Sequence, residues 1–183
     1  NAGGQYFVPA EAITRKGWNA VWRLNVGGTM TMTRAALAAL ARDGGGTVVN
    51  VTLSPHHGLA GMTHSSAARA AVESLTRSLA AELKASGVTV CAIAAGHFET
   101  DAMRKYPESV RSNAARAVPL QRLGTETEHG WLVALLASPV GKALSGAVVT
   151  LDGARDNWYG AWPPESLEED GEVPTEARRP SVT

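Results

Sequence analysis

Thr47-Val48-Val49-Asn50-Val51-Thr52-Leu53, and then Val88-Thr89-Val90-Cys91-Ala92-Ile93 beyond one helical run, decide the fold. Both runs are rich in β-branched residues and too short for a helix. Each is expected to be a strand buried on both faces. Between them, residues 65–86 place Val72, Leu75, Leu79 and Leu83 on one helical stripe, with Gly87 as the stop. Strand, helix and strand in this order form a parallel βα unit.

Working outward, residues 13–25 and 29–42 have apolar positions at helical spacing and are expected to form two helices. Gly44-Gly45-Gly46 ends the second of them, as glycine does where left-handed geometry is needed. Residues 54–63 read as a loop containing Pro55, His56, His57, Gly58 and Gly61. After an irregular stretch, Thr125-Glu126-Thr127-Glu128 has the form of a capping box opening a helix through Ala137. Residues 146–152 read as a third strand. The domain is expected to cover 1–161, followed by a Pro- and acid-rich tail over 162–183 with little to bury.

The composition narrows the function. The 183 residues suffice for one domain with a real core, and 17 basic residues balance 17 acidic ones. No basic stripe interleaved with aromatics suggests nucleic acid. The lone cysteine, Cys91, builds no disulfide framework, which fits a reducing cytoplasm. No apolar run suggests a membrane span, and no residue is assigned to a metal. Asn1 rather than Met opens the sequence, which hints at truncation or processing.

Six motifs follow one another at consistent spacing. Asn1-Ala2-Gly3 resembles the end of an N-N-A-G signature, and Asn25-Val26-Gly27-Gly28-Thr29 resembles N-x-x-G-T. Val48-Val49-Asn50-Val51 resembles I-V-N-I, and Gly96 with Thr100 resembles P-G-x-x-x-T, with Ala95 in the proline's place. Pro119-Leu120, Arg122 and Gly124 resemble P-L-x-R-x-G, and Leu151-Asp152-Gly153 resembles V-D-G. In this order the chain is similar to the short-chain dehydrogenase/reductase family. The resemblance implies an α/β fold: a partial Rossmann domain with a doubly wound parallel sheet, lacking the N-terminal strands that carry the phosphate-binding glycines. Gly3-Gly4-Gln5-Tyr6, Lys16-Gly17-Trp18 and His64-Ser65 with Ala67-Ala68-Arg69-Ala70 are most similar to peroxisomal trans-2-enoyl-CoA reductases and citronellol/citronellal dehydrogenase-like proteins. The 2,4-dienoyl-CoA reductases resemble it more distantly.

The resemblance implies NAD(P) as cofactor, with Asn1, Gly3, Arg69, Gly96 and Thr100 as its contacts. It makes Asn25 a member of the catalytic set. The family's Y-x-x-x-K pair falls on Ser65 and Arg69, one helical turn apart. A serine hydroxyl is a far poorer acid than a phenol, and a guanidinium holds its proton too firmly to relay one. The family's serine falls on Leu53 or Thr52, according to the end from which one counts. His56 and His57 can titrate near neutrality and are candidates for the proton donor, although both also read as solvated loop residues. His64 reads as a local hydrogen-bonding residue and Tyr6 as a neighbour of substrate or of the Trp18 helix. Thr100 reads as a helix cap or a cofactor contact, and Trp18, Trp22 and Trp131 as core residues.

These residues lead to an NAD(P)H-dependent oxidoreductase acting on a small molecule, either an enoyl-CoA-like alkene or an alcohol or aldehyde carbonyl. Family members commonly form homo-oligomers, so a dimer or tetramer is expected. The alternative is a catalytically silent homologue acting as an assembly subunit, which the loss of both Tyr and Lys favours.

Overall fold

The computed structural model describes residues 3–42, 44–54, 56, 58–104 and 107–158. Asn1, His57 and the tail beyond 158 lie outside the described residues. The sheet is parallel, in the order β1-β2-β3, with β1 at Thr47–Leu53, β2 at Thr89–Ala95 and β3 at Val148–Leu151. Register pairs Val49 with Cys91, Val51 with Ile93 and Ala94 with Thr150.

Helices cover both faces. The helices α1 (Arg15–Trp22), α2 (Gly28–Arg42) and α3 (Thr63–Glu82) precede or join the first strands, while α4 (Asp101–Arg104), α5 (Glu108–Arg116) and α6 (Glu126–Ala137) lie between β2 and β3. On the α2 and α3 face, Leu79, Val88 and Val90 form a core with Met30, Leu40 and Val48 packed against it. On the α6 face, Cys91, Ile93 and Leu136 are fully buried, with Val49, Leu132 and Val149 around them. No helix among the described residues is long and apolar enough to cross a membrane.

The turns follow from local chemistry. Gly45 adopts φ +113° and its N–H bonds to Leu40 O, closing α2. Its Cα packs against the Gly87 backbone, so a side chain there would collide with the turn ending α3. Gly87 itself is left-handed at φ +67°. The capping box at Thr125 and Glu128 forms as the sequence predicts.

Several expectations change. The two helices expected over 13–25 and 29–42 are one helical run, interrupted by a π-turn at Arg23–Gly27. The π-turn adds a residue to the turn and carries Asn25 into the interior. The irregular stretch after β2 contains α4 and α5, and β3 is shorter than expected because Gly146 turns at φ +86°. Of the β1 side chains only Asn50 and Thr52 are fully buried, because β1 is an edge strand among the described residues. Trp18 and Trp22 stack on each other 6.1 Å apart at the surface, and Trp131 is 69 % exposed. Their helical spacing is real, but nothing among the described residues covers those faces.

Candidate functional site

Asn25 organises the site. Its Nδ2 donates to Val21 O at 2.8 Å and to Gly4 O at 2.9 Å, which staples the segment after Gly3 to the helix. The first bond occupies a carbonyl of the helix's own ladder, and Thr29 Oγ1 donates to Asn25 O at 2.7 Å. Asn25 Oδ1 is buried with no partner among the described residues. A buried carbonyl oxygen in that state is open to a ligand hydroxyl or a water.

Ser65 and Arg69 rise from α3 beside it. Ser65 is fully buried and donates from Oγ to Gln5 Oε1 at 2.9 Å. Its single proton is therefore engaged by Gln5, a residue the sequence reading did not single out as a site residue. A glutamine in an irregular segment carries no spacing that would have marked it. Arg69 Nη1 donates to Val51 O at 2.6 Å, and its Nε is buried without a partner. Burial pulls the Arg69 pKa down. A Cβ at Gly3 would lie 2.5 Å from Arg69 Nη2 and 3.1 Å from Asn25 Oδ1, so a side chain there would push the Arg69 guanidinium out of its place. The expected Asn25, Ser65, Arg69 and Gly3 thus converge in one place.

His56 stands elsewhere, in a polar web at the carboxyl ends of β1 and β3. Its Nδ1 lies 2.6 Å from Asp156 Oδ2, its backbone N–H donates to Asp156 Oδ1 at 2.6 Å, and its Nε2 is 3.2 Å from Glu73 Oε1. Burial opposes a charge on His56. The hydrogen bond to Asp156 and the charges of Glu73, Asp156 and Asp152 outweigh that and raise its pKa above 6.5. Thr52 Oγ1 donates to Glu73 Oε1 at 2.9 Å, so Thr52 faces α3. Ser54 donates to Asp152 Oδ2, while Asp152 also accepts from the N–H groups of Ala154 and Asp156. His64 is buried with both ring nitrogens unpartnered among the described residues, and Tyr6 meets it edge-on at 4.5 Å. The Tyr6 hydroxyl sits over Gly17, so this ring packs against the Trp18 helix.

A cleft of about 410 Å³ opens at the carboxyl ends of β1 and β2, lined by Val51, Gly96, His97, Thr100, Glu126 and His129 among others. Open α/β sheets bind ligands there. Gly96 approaches the Asp152 backbone so closely that a Cβ would lie 2.8 Å from its Cα. Thr100 Oγ1 accepts from Met103 N at 3.1 Å, which leaves its O–H free to donate. The volume and the free Thr100 hydroxyl fit the nicotinamide half of a dinucleotide. The unpartnered Asn25 Oδ1 adds an acceptor beside Gly3.

A parallel sheet with its cleft at the strand ends, and with an interior asparagine in a π-turn, defines a Rossmann-type ligand-binding domain. The profile of the family described as enoyl-(acyl carrier protein) reductase matches residues 1–154. The chain belongs to the short-chain dehydrogenase/reductase family. It is 34 % identical over 165 residues to the peroxisomal 2,4-dienoyl-CoA reductase [(3E)-enoyl-CoA-producing] of Pongo abelii, covering 88 % of this chain and 54 % of that protein. It is 37 % identical over 169 residues to a probable 2,4-dienoyl-CoA reductase [(2E)-enoyl-CoA-producing] of Bacillus subtilis (strain 168), covering 89 % and 66 %. A crystal structure of a short chain dehydrogenase from Bacillus anthracis superposes with a TM-score of 0.75 at 32 % identity, over 85 % of this chain and 62 % of that one. The chain therefore spans between about half and two thirds of the length of these relatives.

Proposed function

We propose that the protein is an NAD(P)H-dependent reductase of an alkene conjugated to a thioester carbonyl, with the domain over 1–161 and the tail over 162–183 as a separate segment. The observation that carries this reading is the cleft at the ends of β1 and β2, with Gly96 and Thr100 on its wall and Asn25 fixing the neighbouring backbone. The names of the dienoyl-CoA reductase relatives support the substrate class.

The chemistry of the site favours an alkene over an alcohol or ketone. Reducing a ketone leaves an alkoxide that needs a full proton at once, and the family's phenol supplies it. Here Ser65 stands in that place with its proton already given to Gln5. Hydride addition to a conjugated alkene leaves an enolate instead, whose oxygen needs hydrogen-bond donors and whose α-carbon can take a proton from water. When bound, the reduced nicotinamide supplies the hydride. In this reading the Thr100 hydroxyl would hold the nicotinamide amide, and Gly96 and Gly3 would leave room beside the backbone. Arg69 would donate to the hydroxyls of the nicotinamide ribose, with Asn1 as a further contact. Asn25 holds the Gly4 carbonyl in place, and the proton-donor role once open to His56 and His57 passes to water.

A second reading, a silent assembly subunit, draws on the same two bonds: Ser65 to Gln5 and Arg69 to Val51. The stacked Trp18 and Trp22 at the surface are where a second copy of this chain would dock, as a dimer or tetramer. The two readings part on one assay. A form extended upstream to the length of its relatives is mixed with NADPH or NADH and a crotonyl thioester, and nicotinamide absorbance is followed. Thioester-dependent oxidation, with none for a matched ketone, supports the reductase. Saturable cofactor binding without turnover on either class would overturn it in favour of the silent subunit.

A further inference from the structure

We infer that His97 is a further catalytic residue, whose Nε2–H donates a hydrogen bond to the substrate's carbonyl oxygen as negative charge gathers there, and that Arg155 positions it. This rests on the thioester-alkene reading above.

His97 follows Gly96 directly at the end of β2 and lines the cleft. Its backbone is held from both sides. Gly96 N donates to Leu151 O at 3.0 Å, and Gly124 N donates to His97 O at 2.9 Å. The ring has one partner among the described residues: Arg155 Nη1 stands 2.6 Å from His97 Nδ1. A guanidinium has donors and no acceptor, so Nδ1 must present its lone pair. The proton of the neutral ring then resides on Nε2, the nitrogen that Arg155 leaves free. Burial, and then the positive charge of Arg155, lower the His97 pKa to about 4, so the ring is neutral at pH 7. The charged and titratable groups around it are Arg155 and Asp152 after β3, and Glu126 and His129 on α6 across the cleft. Arg122 and Glu128 lie near its other side and neutralise each other through a paired contact.

A neutral imidazole suits this task. It donates to a developing oxyanion without handing over its proton, so it is unchanged at the end of the turnover. Hydride adds to the β-carbon, and the alkene electron pair moves through the α-carbon onto the carbonyl oxygen. His97 holds that oxygen, and the pair then returns to bond the α-carbon to a proton taken from water. One hydride and one proton are added to the alkene, and the reduced nicotinamide, when bound, would be the two-electron donor. Among the described residues of the cleft wall, the Thr100 hydroxyl rotates, Glu126 ionises to an acceptor, and the His129 ring meets Phe98 edge-on with no hydrogen bond that fixes its tautomer.

The test has a spectroscopic arm and a kinetic arm. In the first, the imidazole nitrogens of His97 are followed by ¹⁵N NMR in the chain itself. The expected result is one Nε2–H tautomer with a titration midpoint near 4. In Arg155→Met the midpoint should move toward that of a free histidine, and the two tautomers should average. An Nδ1–H tautomer, or a midpoint indifferent to Arg155, overturns the assignment. In the second arm, the extended form is assayed with the crotonyl thioester. His97→Leu should lower kcat by about 10²- to 10³-fold, as for the loss of an oxyanion donor, with the cofactor KM unchanged. His97→Gln, which keeps an N–H donor, should recover at least tenfold of that loss, and Arg155→Met should shift the acid limb of the pH profile upward. A His97→Leu enzyme as fast as the parent sinks the inference, and so does a loss confined to cofactor KM. If the parent shows no thioester turnover at all, the functional reading has failed, and the tautomer then describes only a structural pair.

Discussion

β1 and β2 are built from similar residues and live in different surroundings. In β2, residues Val90 to Ala94 are all inaccessible to solvent, and both edges are paired. In β1 only Asn50 and Thr52 are fully buried, and one edge is unpaired among the described residues. Ser54 N donates to Ala95 O, and successive strand residues point their N–H and C=O groups to opposite edges. The N–H and C=O of Val49 and Val51 therefore face the open side, where Arg69 satisfies one carbonyl. A groove of about 340 Å³ runs along that side, lined by Leu24, Met32, Ala36 and Leu40 of the long helical run. Hydrophobic sequence makes a strand; its neighbours decide whether the strand is buried.

The largest effect expected from this difference is in amide exchange. The N–H groups of Cys91 and Ile93 face β1 within the core and should exchange only on global opening, slowed by at least about 10³-fold for a domain of ordinary stability. Those of Val49 and Val51 should exchange within about tenfold of a free peptide. Mass spectrometry of short peptides from the two strands reads this directly. Equal protection would mean that something covers the β1 edge in solution, and the comparison would break there.

Side-chain deletion sharpens it on a smaller scale. Ile93→Ala removes a fully buried side chain packed with Cys91 and Leu136, and should cost about 2–5 kcal/mol. Val49→Ala stands at the half-buried rim of the same cluster and should cost about 1 kcal/mol. Urea melts of the two variants should keep this order. A reversal would show that β1 carries the fold and β2 is the adaptable strand.

The same contrast explains what could be read from residues alone. Strand β1, the capping box and the helix after β1 were legible because burial and caps impose a period or a fixed spacing. The π-turn was not, since its extra residue leaves the helical pattern on either side intact. Motif order singled out Asn25 and Arg69, which flank Gly3, and Ser65, whose hydroxyl reaches Gln5. Gln5 and the Arg155–His97 pair were missed because each joins segments far apart in the chain, 60 and 58 residues respectively. The tryptophans misled because a helical stripe shows which face is apolar without showing what covers it.

The smallest effect concerns pH, and it should touch β1 while leaving β2 alone. Beyond β1 the chain is anchored by titratable contacts: His56 bridges Asp156, from the segment after β3, and Glu73 on α3. β2 is anchored by burial, and its one titratable side chain along Val90 to Ala94, the Cys91 thiol, is pushed up by that burial and stays neutral between pH 6 and pH 8. The folded pKa of His56 is raised above 6.5, so the protonated ring binds the web more tightly than the neutral one. Its contribution is then fully present below the unfolded value and is lost as pH rises through the raised folded value. The His56 side chain is 33 % exposed, and its backbone N–H holds Asp156 whether or not the ring is charged. Solvent screening thus limits the effect to less than about 1 kcal/mol. Exchange of amides around residues 54–58 and 152–158, corrected for intrinsic rates, should be faster at pH 8 than at pH 6, while protection of Cys91 and Ile93 stays constant. His56→Gln should flatten the dependence and leave the alkaline behaviour at both pH values. If loosening instead appears below pH 6, the carboxylates rather than the imidazole govern the web, and His56 is held there as a neutral ring.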